Sequence, residues 1–128
     1  PYQEGISYLD SSEYIYSNGT VAEGPTMPSG RSYHCSVTLH DGKVMLIGGD
    51  PLSNSKNVLV FDPDDNSFIT GPSLLYERYY HACAMFFSAK HSGRPVVLSV
   101  GGNEQTTSEI LDYTVSNATW EQSKLIFP

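Results

Sequence analysis

"RSYHCSVTLHDGKVMLIGG", from Arg31 to Gly49, and "RYYHACAMFFSAKHSGRPVVLSVGG", from Arg78 to Gly102, open on Arg-x-x-His and close on a glycine pair. Arg31 and Arg78 lie 47 positions apart, as do His34 and His81, so the chain repeats itself. The glycine pairs Gly48-Gly49 and Gly101-Gly102 are offset by 53 positions, which places six extra residues around "SAKHSG", where a hairpin loop can absorb them. The first copy turns tightly through "HDGK", in which Asp41-Gly42 is a strong hairpin signal. A residue without a Cβ turns sharply at positive φ and admits a neighbouring backbone, and the crowded end of an inner strand requires both.

Past each glycine pair come a polar loop and a short apolar run, "NVLVFD" from Asn57 and "EILDY" from Glu109. An aromatic follows seven residues after each run's own, Phe68 after Phe61 and Trp120 after Tyr113. "EYIY" from Glu13 to Tyr16 reads as a third copy of this half unit, with a turn two residues shorter leading to Val21. Strands are expected at 33–39, 43–48, 57–62 and 67–70, and again at 80–87, 95–100, 109–113 and 118–122. No window sustains helical periodicity, and "KVMLI" and "PVVLSV" suit strands buried on both faces. Four-stranded units at this period point to propeller blades. The expected organisation is all-β: the outer half of a blade over 1–30, a full blade over 31–77 and another over 78–128.

The order of these elements resembles the kelch-repeat β-propeller family. The resemblance rests on "RSYH" and "RYYH", the glycine pairs, "VFD" and "LDY", and the aromatic at Phe68 or Trp120, and it runs from about Ser12 onward. The chain departs from it in the 53-residue offset, in Phe68 and Val21 where tryptophan is usual, and in "LDY" where tyrosine precedes aspartate. The resemblance implies a disc of blades with the first strand of each innermost. About two and a half blades are present, so the chain is expected to be a piece of a larger propeller, or copies must associate to cover the open flanks.

The formal net charge of -7 argues against a nucleic-acid footprint or an anionic membrane surface. No apolar run reaches the roughly 18 residues that span a bilayer. The start, "PYQEGISYLD", lacks an initiator Met and a basic leader region, and is expected to lie inside a longer protein.

His34 and His81 recur with the repeat, which favours a structural role over a ligand one, and His40 and His91 fall in loops. Arg31 and Arg78 are expected to brace blade junctions through carbonyls or the row Glu13, Asn57 and Glu109, although an arginine ring at a propeller mouth can bind acidic partners. Cys35 follows its histidine by one residue and Cys83 by two, so on regular strands they face opposite sides. That offset argues against a mutual bridge and predicts two buried free thiols. No Gly-x-Ser-x-Gly elbow and no Gly-x-Gly-x-x-Gly fingerprint is present. Catalytic, cofactor and metal residues are therefore all expected to be absent.

"NGT" at Asn18 and "NAT" at Asn117 are N-glycosylation sequons, both in the turn between the third and outermost strands. They point to an extracellular or cell-surface protein, with a cytoplasmic one as the alternative. The leading expectation is a non-catalytic interaction or structural module that binds a protein partner through blade loops. The alternatives implied by the resemblance are an intracellular kelch adaptor that presents substrates to a ubiquitin ligase and, behind it, the propeller scaffold of a copper radical oxidase.

Overall fold

The computed structural model describes residues 5, 7–103 and 105–123. The outermost parts of the spans 1–30 and 78–128 lie outside the described residues, as does part of the N-terminal stretch "PYQEGISYLD".

Among the described residues ten strands form three antiparallel sheets. β1 (Glu13–Ile15) pairs with β2 (Val21–Glu23). β3 (Cys35–Thr38), β4 (Val44–Ile47), β5 (Val58–Asp62) and β6 (Ser67–Thr70) form a four-stranded sheet in sequence order. β7 (Ala82–Ser88), β8 (Arg94–Val100), β9 (Ser108–Leu111) and β10 (Glu121–Ser123) form another. The fold is thus all-β, with one two-stranded and two four-stranded units among the described residues arranged as part of a β-propeller.

Local chemistry sets the strand ends. β3 and β7 start two residues later than the apolar pattern suggests, because Tyr33 and Tyr80 adopt φ of 53° and 57° and interrupt the extended backbone. The β3–β4 turn closes with Leu39 N–H donating to the Lys43 carbonyl and Gly42 at φ 89°, a three-residue hairpin with a left-handed glycine. The six extra residues of the second copy lengthen the β7–β8 ladder out to Ser88 opposite Arg94. A 3-10 turn over Ala89–His91, Ser92 at φ 59° and Gly93 at φ 76° cap it. Phe68 stands opposite Phe61, but Glu121 stands opposite Ile110, so Tyr113 and Trp120 are not a cross-strand pair despite the shared seven-residue spacing.

The core lies between the two four-stranded sheets. Met45, Ile47, Val58 and Val60 meet Val97, Leu111 and Trp120, with Val37, Cys83 and Met85 closing the inner end. The Trp120 indole N–H reaches across to the Pro72 carbonyl at 2.9 Å, so the buried ring keeps its polar contact. The opposite face of the first sheet is less filled. Val44, Leu46, Phe61 and Phe68 line a cleft of about 400 Å3 against Tyr14 and Met27.

Candidate functional site

The Arg-x-x-His and glycine elements come together where the inner strands begin. Arg78 is fully buried; its Nε donates to Glu109 Oε2 at 2.7 Å, and Nη1 donates to the carbonyls of Gly101 and Thr107. Glu109 in turn accepts from the backbone N–H groups of Leu75 and Tyr76. This ion pair is satisfied on all sides, which is the condition under which a buried charge pair is tolerated. In the first four-stranded sheet Asn57 replaces the glutamate. Arg31 donates to Asn57 Oδ1, Ser29 Oγ and the Gly48 carbonyl, while its Nε has no partner among the described residues.

The glycines fit against this brace. Gly48 has φ 60°, and a Cβ there would overlap the Arg78 carbonyl and press on His81 Cε1 at 3.1 Å. A Cβ on Gly49 would meet the Ser32 carbonyl at 2.6 Å, and one on Gly102 the His81 Cβ at 2.8 Å. Gly101 differs: at φ 68° it has only the Gln105 carbonyl within reach, at 3.8 Å. Gly48 is crowded by Arg78 and His81 of the following sheet, and among the described residues no further sheet packs against Gly101.

His34 and His81 each enter a gap beside the preceding sheet. Neither ring nitrogen of His81 is hydrogen-bonded; the Ile47 backbone is close by but outside hydrogen-bond geometry. Burial, helped by the charges of Arg78 and His34, pulls His81 down to about 4. Burial also lowers His34, which lines the cleft next to β1. His40 Nδ1 lies 2.8 Å from the Tyr113 hydroxyl, and His91 Nδ1 lies 2.9 Å from Ser88 Oγ.

The cysteines are not free. Cys35 and Cys83 form a disulfide with Cα atoms 6.0 Å apart, which joins β3 to β7. Opposite facing, read from the sequence as an obstacle, is what permits the bond. Residues that meet across a junction must point forward from one sheet and backward from the next. Cys35, on the same side as the core residue Val37, points forward; Cys83, displaced by one position in the repeat, points back beside Met85.

Tyrosines crowd the same end of the inner strands. The rings of Tyr33 and Tyr80 lie with centroids 4.0 Å apart, and Tyr79 lies 5.5 Å from Tyr80. The Tyr8 hydroxyl donates to Asp50. The adjoining Tyr33 hydroxyl, with burial and the nearby Asp50 charge contributing, pushes Tyr80 up to about 12, and the Asp50 hydrogen bond raises Tyr8. Sequence reasoning missed this cluster. Its signal was the tyrosine immediately before each repeat histidine.

Asn18 and Asn117 are exposed. The side-chain oxygen of Asn18 accepts from both the N–H and the hydroxyl of Thr20, and Asn117 takes φ 54° in its turn. Asn66 occupies the matching turn at φ 51°.

No helix of the described residues is long and apolar enough to cross a membrane. No protein-family model and no curated protein matches the sequence. The sheets and their order define the class, a β-propeller segment, and 71 chains of solved structures match it. Among them is a fungal alcohol oxidase of the AA5 family, solved in complex with copper. It superposes with a TM-score of 0.66 at 16% identity, over 85% of this chain and 23% of the oxidase chain. The expectation that the chain serves no enzyme is overturned by this likeness. The fold is one that an alcohol oxidase uses, so it no longer argues for a non-catalytic module.

The residues present do not by themselves fit copper. Among the described residues no group of three or more His, Cys, Asp or Glu side chains comes together. Both sulfurs are committed to the disulfide, and the unpartnered His81 nitrogens are sealed in the junction.

Proposed function

We propose that the chain is a segment of the kelch-like propeller of a secreted, copper-dependent alcohol oxidase. The carrying observation is the superposition over 85% of the chain on an AA5 alcohol oxidase solved with copper. In this reading the donors that hold the metal come largely from outside the described residues. The segment supplies two braced blade junctions and the inner-strand ends that face the propeller axis.

The secretory part of the reading is supported by the Cys35–Cys83 disulfide, a bond that persists in oxidising compartments, and by the exposed sequons at Asn18 and Asn117. Glycans at these turns would meet no packing surface. The protein isolated from its native source, assayed for bound copper and for oxygen consumption with primary alcohols, tests the proposal. Bound copper together with alcohol-dependent oxygen uptake is expected. A copper-free protein that consumes no oxygen refutes it.

A further inference from the structure

Tyr33 and Tyr80 are bulky residues in the left-handed backbone region, 53% and 63% exposed, and they occupy the same position in successive repeats. An L-residue at such a φ is strained by roughly 1–2 kcal/mol, and a large side chain gains nothing there from packing when half its surface is in water. The strain nonetheless brings the two rings into close, tilted contact, with Tyr79 set edge-on to Tyr80.

Beside Tyr33 lies a depression of about 370 Å3, walled by Tyr8, Leu9, Ser32, Tyr33 and Asp50. Its floor is fixed by two backbone hydrogen bonds between Ser32 and Asp50. Arg31 also lines it, but its guanidinium is turned inward to Gly48, Asn57 and Ser29 and is buried. The carboxylate of Asp50 is held in place by the Tyr8 hydroxyl.

We propose that this depression is a binding site for an arginine side chain presented by a polypeptide partner, the guanidinium stacking on the Tyr33 ring and pairing with Asp50. The chemistry fits on three counts. A planar delocalised cation is attracted to aromatic faces and matches a carboxylate with two parallel N–H donors. The depression offers one fixed carboxylate and two tyrosine rings, and the chain as a whole carries a net charge of -7. The raised ionisation of Tyr8 and Tyr80, to which the Asp50 charge contributes, marks the local potential as negative. A sugar could use the same ring faces but would leave the carboxylate without a charged partner. The proposal does not rest on the oxidase reading.

The test is an NMR titration of the intact chain carrying 13C-labelled tyrosine rings with acetyl-Gly-Arg-Gly-amide. The peptide with citrulline in place of arginine is the neutral control. Expected are saturable shifts confined to Tyr8, Tyr33, Tyr79 and Tyr80, with binding weakened about tenfold for citrulline and about fivefold by Asp50→Asn. Tyr33→Gly should abolish binding while the melting temperature of the variant stays that of the parent, since glycine relieves the strained backbone. Tyr33→Phe should retain it. Equal affinity for the citrulline peptide, shifts centred elsewhere, unchanged binding in Asp50→Asn or Tyr33→Gly, or no saturation would each overturn the assignment.

Discussion

Replacing Gly48 and Gly101 separately by alanine distinguishes conformational strain from steric crowding. Both glycines have positive φ, 60° and 68°, so each substitution forces an L-residue into the left-handed region, worth about 1–2 kcal/mol. Only at Gly48 would the new Cβ also run into backbone, the Arg78 carbonyl, which is held by the Gly49 N–H at 2.9 Å and cannot move freely. Overpacking of that kind adds roughly 1–3 kcal/mol, which gives about 2–5 kcal/mol for Gly48→Ala against about 1–2 for Gly101→Ala. For a chain of this size each kcal/mol lowers Tm by about 4 °C, so the two variants should melt several degrees apart. Calorimetry or urea titration with a common m-value decides it. The reasoning fails if Gly101→Ala is as destabilising as Gly48→Ala, or if neither changes stability.

The disulfide closes a sequence separation of 48 residues, and its removal by Cys35→Ser with Cys83→Ser should lower stability by about 2–4 kcal/mol in denaturant unfolding; no change would exclude the bond as a structural element. His81 is held neutral in the fold down to about 4, whereas in the unfolded chain it takes a proton near 6.5. Stability from this group is therefore complete above pH 6.5 and is lost as the pH falls towards 4, on the order of 2 kcal/mol after allowance for partial solvent access, and His81→Leu should flatten that part of the profile. Ultraviolet titration should show a tyrosine ionising near 12 that disappears in Tyr80→Phe; a profile unchanged by the substitution would contradict the influence of the neighbouring Tyr33 on Tyr80. Peptide mass spectrometry of the protein from its native source should find glycans on Asn18 and Asn117, and bare asparagines at both would remove the support the sequons give to secretion.

The all-β architecture was readable because glycine pairs, hairpin turns and two-sided apolar runs such as "KVMLI" act through local backbone rules that a sequence states directly. The arginine brace was half readable: the recurrence of Arg31 and Arg78 was plain, but the orphaned Arg31 Nε follows from Asn57 standing where Glu109 stands in the next sheet. The disulfide was misjudged because facing was reasoned within one blade, whereas Cys35 and Cys83 meet between two. Strand onset was misplaced at Tyr33 and Tyr80, since nothing in an aromatic residue's composition announces positive φ. The enzyme question was answered wrongly for a different reason. The resemblance had offered a copper radical oxidase scaffold as an alternative, but the solved structure matches at only 16% identity and no residue pattern in the chain ranked that alternative above the non-catalytic module.

The position of the disulfide also has a mechanical meaning. It ties the innermost strands, β3 and β7, while the outermost strands β6 and β10 have no covalent tie. If the chain is stretched from its ends, the residues between Cys35 and Cys83 are shielded from tension, because the force passes through the sulfur bridge. At about 3.6 Å per residue, some 170 Å of contour length stays hidden until the bond is reduced. An oxidised molecule under load would therefore lengthen only through β1, β2 and the strands after Cys83, and would keep the whole β3–β6 sheet as an unextended knot of slack.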